Sequence, residues 1–220
     1  LSHRLSREEE ESSGELYYPV RSDVFFFLKA GYIQYRFNEI ASAWRNSDSW
    51  QGYAGLQFPI TGRLRGALTL GYKSFLPRDE SQEPFSGLVG EADLDYRLRR
   101  IRFRAEYKRG NSFSYWSNTL YFIENQIGGG VSFYLTRFLR LDYDFSYGEN
   151  RYPEAEWIIS GAPAQIKRHD IYRTHTAGLT VRIYRSLGLS FNVNHWERRT
   201  NVFYGDRQGW FAGGSLVFDF

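Results

Sequence analysis

The sequence predicts an all-β fold: a transmembrane antiparallel up-and-down β-barrel of about ten strands, with short turns at one end and longer loops at the other. Three observations predict it. Apolar and polar residues alternate with period two through most of the chain, the connections alternate short and long, and the last alternating segment closes on an aromatic residue. Period two marks a strand with one apolar and one polar face. No run of about 18 apolar residues occurs, which excludes a transmembrane helix but says nothing against membrane strands, whose apolar residues are interleaved with polar ones.

Composition agrees with that class. Mean hydropathy is −0.53, yet 19% of residues are aromatic, with Tyr 17, Phe 18 and Trp 6. A membrane barrel uses such residues at its two interfaces. Cysteine is absent, which excludes disulfides and thiolate metal sites. A net charge of +3, evenly spread, gives no footprint for nucleic acid. Methionine is absent even at position 1, so the gene product is expected to start upstream of Leu1, and no signal peptide is legible.

Residues 1–23, with "SREEEESSGE", are expected to be a polar acidic tail with a short strand near Leu16 to Val20. The barrel is expected over 24–220, with strands near 24–37, 50–60, 64–75, 87–98, 101–109, 119–135, 139–148, 170–183, 187–198 and 207–220. Four connections are tight, "ITGRL" (60–64), "LRRI" (98–101), "LTRFL" (135–139) and "IYRSL" (183–187), each with an Arg between apolar flanks. Longer polar connections lie near 38–49, 76–86, 110–118, 149–169 and 199–206. In outer-membrane barrels the short turns are periplasmic, and an even strand count predicts both chain ends on that side.

The chain ends "WFAGGSLVFDF", with Trp210, Ala212, Gly214, Leu216, Phe218 and Phe220 on one face. This resembles the terminal strand of bacterial outer-membrane proteins, and the resemblance implies that Phe218 and Phe220 form the signal read by the barrel-assembly machinery. The stretches "FYLTRFLRLDYDFSYGENRY" and "RRTNVFYGDRQGWFAGGSLVFDF" are similar to β-barrel porins of exopolysaccharide and cell-surface loci of Gram-negative bacteria. That resemblance implies a place in the outer membrane, with its lipid and lipopolysaccharide as surroundings. It also implies other envelope proteins or a polysaccharide as further partners.

The stretch 88–109, "LVGEADLDYRLRRIRFRAEYKR", shows what each face is for. Pairing Leu98 with Ile101 across Arg99-Arg100 sets Tyr96 opposite Phe103 and Leu94 opposite Ala105 on the apolar face. The charged face then pairs Asp95 with Arg104 and Glu91 with Lys108, expected as ionic contacts, while the like-charge pairs Asp93–Glu106 and Arg97–Arg102 have opposite charges one step along the partner strand, within reach of long side chains. Small residues in the apolar rows (Gly66, Gly90, Ala92, Gly129, Gly214) would leave voids in a packed core but suit a lipid surface. Aromatics gather at both row ends, as girdles do, and strands of ten to twelve residues tilted ~45° cross a ~25 Å apolar band. The apolar rows are therefore read as facing lipid.

The expected lumen row is Arg65, Lys73, Glu91, Asp93, Asp95, Arg97, Arg102, Arg104, Glu106, Lys108, Arg140, Asp142, Asp144 and Arg182. Its near balance of sign fits either a salt-bridged filling that shuts a narrow barrel or a charged wall around a path for a solute or polymer. The function expected is a structural or transport-type, porin-like barrel. Its alternatives are a filled anchoring subunit of an envelope complex and a membrane-embedded hydrolase.

No enzyme activity, catalytic residue, cofactor or metal is expected. His175 and His195 fall opposite each other on the lipid face with no third ligand in sight, which reads as two girdle residues. Ser190 and Ser215 point inward, away from both, so no Ser/His dyad forms. Asp142 and Asp144 make an Asp-x-Asp without the Asp/His pair of a ten-stranded outer-membrane protease. His169-Asp170 sits where the loop carrying Glu149, Glu154 and Glu156 ends. The aromatics "FSYW" (113–116) and "YPEAEW" (152–157) read as loop caps or as stacking surfaces for a sugar or partner. "GGG" at 128–130 falls mid-strand, where glycine permits close approach.

Overall fold

Alternation along the chain becomes a single meander. In the computed structural model, which describes residues 6–61, 63–114, 119–157, 165–184, 187–202 and 205–218, eleven strands form one sheet in chain order. They are β1 (Arg7–Arg21), β2 (Val24–Phe37), β3 (Ser47–Thr61), β4 (Leu64–Pro77), β5 (Phe85–Leu98), β6 (Ile101–Phe113), β7 (Tyr121–Tyr134), β8 (Leu139–Trp157), β9 (Gln165–Arg182), β10 (Leu187–Thr200) and β11 (Arg207–Phe218). Every neighbouring pair is antiparallel. Among the described residues the only helical element is a 3-10 turn, Ile40–Arg45.

All ten expected strands are present, and three expectations are corrected. The acidic stretch is not a flexible tail but β1, paired with β2 along its length from Arg7↔Phe37 to Arg21↔Val24. Four consecutive glutamates hide the period-two signal. The pairing supplies what the sequence pattern lacks, including Lys29, held by Glu11 at 3.4 Å and Glu15 at 3.1 Å. With eleven strands rather than an even number, Arg7 lies at the long-loop end and Phe218 at the short-turn end, so the two ends of the described sheet are on opposite sides. The expected loop 149–169 is largely strand, since β8 continues to Trp157 and β9 begins at Gln165. These extensions rise beyond the apolar rows, where neither face needs to be apolar and alternation fades.

The polarity of the sheet is inside-out. On the face carrying Leu16, Leu70, Leu88, Phe191, Trp210 and Leu216, large side chains are 53–74% exposed. Buried groups are instead often polar, among them Ser47, Ser49, Ser132 and Arg45. A continuous apolar surface of this extent is unstable against water and stable against lipid.

At the long-loop end, on the charged side, an aromatic cluster packs around Tyr35, Phe75, Phe85 and Tyr121 with Phe37, Val89 and Leu120. Phe113 meets Tyr35, Phe37 and Phe75 edge-on at 5.0–5.5 Å. Such pairs contribute about 0.5–1.5 kcal/mol each beyond their buried area. The 3-10 turn closes over this cluster: buried Arg45 stacks on Trp44 and donates to the Ser114 carbonyl at 2.6 Å. Nearby, Asp48 accepts from Arg36 at 2.7 Å and Arg78 at 3.1 Å. Partial burial alone would raise the Asp48 pKa, but those two guanidinium bonds outweigh it and hold the carboxyl below its usual value. Its folded pKa is depressed, so its contribution is present above about pH 4 and is lost as pH falls through the lowered folded value.

The β5–β6 turn has one strained residue. Arg99 takes φ 50° because a two-residue hairpin turn demands a left-handed backbone there. Arg99→Asn, which tolerates that region, is expected to stabilise the protein by about 0.5–1 kcal/mol, seen as a higher urea midpoint for the refolded barrel.

Candidate functional site: the charged face of the sheet

All fourteen residues of the expected lumen row share one face. The register links them in chains across the strands: Arg65↔Asp95↔Arg104↔Gly130↔Asp144, Glu91↔Lys108, Asp93↔Glu106 and Arg97↔Arg102↔Ser132↔Asp142. Arg140 pairs with Thr180, Arg182 with Gly188 and Lys73 with Gly87, all on the same side.

The ionic partners differ from the cross-strand pairs read from the sequence. Asp95 and Arg104 are register partners, but Asp95 is taken by Arg102, and Arg104 reaches past β7 to Asp144 at 2.5 Å. Lys108 likewise leaves Glu91 for Glu124 at 3.0 Å. Register sets which backbones are adjacent, whereas a long cationic side chain takes the carboxylate with the least obstructed path.

That path is opened by glycine. Gly130 stands between Arg104 and Asp144, and a Cβ there would overlap the Asp144 carboxylate and press on the Arg104 guanidinium. Gly128 does the same for Glu106, whose side chain lies across it. The role of "GGG" is therefore local: two of the three glycines let charged chains lie flat on the wall. Rings use the same device elsewhere on this face, with Phe27 over Gly55, Tyr53 over Gly71 and Trp196 over Gly209.

From Arg104 the polar contacts run on as a belt. Its other amino group donates to Ser132 at 3.2 Å, Ser132 donates to Asp142 at 2.6 Å, and Asp142 accepts from Arg140 at 2.8 Å. Arg140 also donates to Thr180 at 3.3 Å, which in turn donates to Ser190 at 3.4 Å. The belt thus ties β6 to β10. Beside it lies a depression of about 250 Å³ lined by Asp93, Arg104, Glu106, Asp144, Thr174 and Thr176. Asp93 and Glu106 face each other there, and among the described residues no cation contacts either side chain. On β9 to β11 the middle of the same face is neutral, with Thr176, Asn192, Asn194 and Ser215 lying between Arg182 toward the short turns and Asp170, Arg198 and Arg207 toward the long loops.

One buried ion pair escaped the sequence reading. Arg168 donates to both oxygens of Asp170 at 2.8 Å, and the two side chains are 1% and 0% exposed. Tyr152 lies under the guanidinium at 5.1 Å; burial, together with the Asp170 charge, pushes its phenol pKa up, so it stays neutral. The signal was present as Arg-x-Asp, two residues on one face of a strand, and it recurs at Arg140–Asp142.

Of the remaining candidates, His175 and His195 are paired across β9 and β10 on the apolar face. His175 Nδ1 lies 2.8 Å from the Tyr143 hydroxyl, and His195 packs tilted against Trp210. Ser190 and Ser215 pair on the charged face. His169 Nε2 is 3.5 Å from Glu149. Phe218 ends β11 opposite Leu187, while Phe220, His3, residues 115–116 of "FSYW" and the side chains of Glu154 and Glu156 lie outside the described residues.

Two solved structures are similar. The outer-membrane protein OmpT of Vibrio cholerae matches at a TM-score of 0.51 and 13% identity, over 94% of this chain and 64% of that one. Its loop L8 deletion mutant matches at 0.51 and 14%, over 94% and 62%. The chain thus spans less than two thirds of either, and the likeness shows a common outer-membrane β-barrel fold. No curated protein sequence matches. The family model described as "Putative beta-barrel porin 2" matches residues 7–209. An inside-out meander of this length, matched over nearly all of its strands, belongs to the family of that description: the chain is a member of beta-barrel porin 2 and an outer-membrane β-barrel protein.

Proposed function

We propose that the charged face lines a water-filled path for small polar or ionic solutes, making this a transport-type barrel. One observation carries the reading: the charges are neutralised along the wall, not across the interior. Arg102–Asp95, Arg104–Asp144, Lys108–Glu124, Arg140–Asp142 and Lys29–Glu15 each join residues of the same strand or of strands one or two apart. A filling that shuts a barrel needs side chains meeting from opposite walls. Here three rings, the Glu106 side chain and the Arg104–Asp144 pair lie flat over glycines, which favours water in the space above them.

The test is ion flow through the full chain in planar bilayers. Steady conductance is expected. Asp93→Asn removes an unpaired carboxylate and shifts the reversal potential toward anion preference, and Arg104→Gln leaves Asp144 uncompensated and shifts it toward cations. Silent bilayers, or a reversal potential indifferent to both changes, would sink the reading. A specific feature favours the runner-up, a non-conducting anchor: the aromatic cluster and Arg45 close over the long-loop ends of β2 and β4 to β7. The depression lined by Asp93, Arg104, Asp144 and Thr176 and the neutral strip of Asn192 and Asn194 beside it lie outside that cluster, and the proposed path runs along them.

A further inference from the structure

Above the apolar rows, the lipid-facing side changes chemistry at one level. Followed away from the short turns, these rows run through aliphatic residues to a tyrosine or histidine and then to an arginine. Tyr107 precedes Arg109 on β6, Tyr147 precedes Arg151 on β8, His175 precedes Arg173 on β9 and His195 precedes Arg199 on β10. The cross-strand pairs Tyr107↔Ile127↔Tyr147↔Arg173↔Glu197 keep these groups in neighbouring positions across five strands.

Their charges do not cancel. Among the described residues, four guanidinium groups are set against two carboxylates, Glu149 and Glu197. Arg151 meets Glu149 at 3.0 Å, while Glu197 is shared by Arg199 at 2.5 Å and Arg173 at 4.0 Å. Among the described residues, Arg109 bonds neutral oxygens, those of Asn125 and the Leu88 carbonyl. The arginines keep donors for a further anion, and the side chains of Arg151, Arg173 and Arg199 are 47–64% exposed. A second arginine pair, Arg36 and Arg78 on Asp48, is offset by Glu8 and Glu10 on β1, so the excess sits on β6 to β10.

We propose that the outward face of β8 to β10, through Arg151, Arg173 and Arg199, binds the phosphate of an anionic lipid headgroup in the leaflet at the long-loop end. Arginine suits this role because its planar fork matches phosphate oxygens two at a time. The exposed apolar rows of Phe145, Phe191 and Val193 lie directly below and take the acyl chains of the same lipid. Trp210, 74% exposed and packed against His195, sits at the boundary, where an indole ring is favoured. The assignment rests on the reading of the apolar rows as the lipid surface.

The experiment reconstitutes the full chain into phosphatidylcholine vesicles with and without phosphatidic acid and follows thermal unfolding by the gel shift of the folded barrel. Phosphatidic acid is expected to raise the unfolding temperature of the natural protein. Most of that rise should be lost in Arg173→Gln/Arg199→Gln, with unfolding in phosphatidylcholine alone unchanged. Arg151→Gln, on the most exposed side chain of the three, provides a milder variant with a partial loss should the double one fail to fold. An equal rise in natural and variant proteins overturns the proposal while leaving the membrane assignment intact. Failure of the natural protein to enter either vesicle overturns that assignment itself. A rise reproduced by inorganic phosphate without phosphatidic acid would make this a free-anion site and overturn the lipid reading.

Discussion

Asp170→Ala should destabilise the protein by about 3–5 kcal/mol, because it takes from a fully buried guanidinium the carboxylate that balances its charge. Arg168 and Asp170 are 1% and 0% exposed and share two bonds of 2.8 Å, with the Tyr172 hydroxyl donating to the same carboxylate at 3.2 Å. Asp170→Asn keeps the shape and an acceptor but loses the charge, so its cost should be smaller. Replacing both partners, as in Arg168→Met/Asp170→Leu, should cost less than Asp170→Ala alone, since no buried charge is left without a partner. Urea unfolding of the refolded barrel followed by tryptophan fluorescence orders the three. A double variant weaker than Asp170→Ala would show that Arg168 acts mainly through packing on Tyr152.

Gly130→Val is the second large effect, with an expected loss of about 1–3 kcal/mol. Valine favours strands and Gly130 does not have the left-handed backbone that excludes side chains, so propensity alone predicts stabilisation. The opposing effect is steric: a Cβ enters the space held by the Asp144 carboxylate and the Arg104 guanidinium. If that is the whole cause, Asp144→Ala in the same chain should recover much of the loss, and the double-variant cycle should show strong coupling. Additive losses would mean that Gly130 matters for backbone approach instead.

Much of this fold was legible because lipid imposes a strict rule on each strand. Every expected strand formed, and the pairing of Asp95 with Arg104 and of Glu91 with Lys108 follows from a two-residue turn at Arg99-Arg100. What failed lies where the rule does not apply. Strand β1 carries Glu8 to Glu11 without alternation and is held by its neighbour, and β8 and β9 run on above the lipid, where Pro153 and Glu154 give no strand signal. Of the ionic contacts, Arg102–Asp95 is the one-step diagonal expected beside a like-charge pair, while the longer ones were beyond reach. Arg104 bypasses its register partner because Gly130 clears a way to Asp144, a fact of three strands at once that no hairpin contains. The Arg168–Asp170 pair was visible as a spacing but not as a burial.

The glycines on the charged face have one more consequence. If this face lines the proposed path, its width where Glu106, Asp144, Phe27, Tyr53 and Trp196 lie down over glycines is set by backbone and not by side-chain length. Exchanging one polar lining residue for another would recolour the wall without narrowing it. Filling Gly128 or Gly130 would instead tilt a charged chain upright into that path, whereas at Gly55 and Gly71 the new Cβ would also meet the backbone carbonyls of Leu68 and Gly52. Gly128 and Gly130 act as the molecule's calibre screws, and a series of solutes of graded size would read their setting one residue at a time.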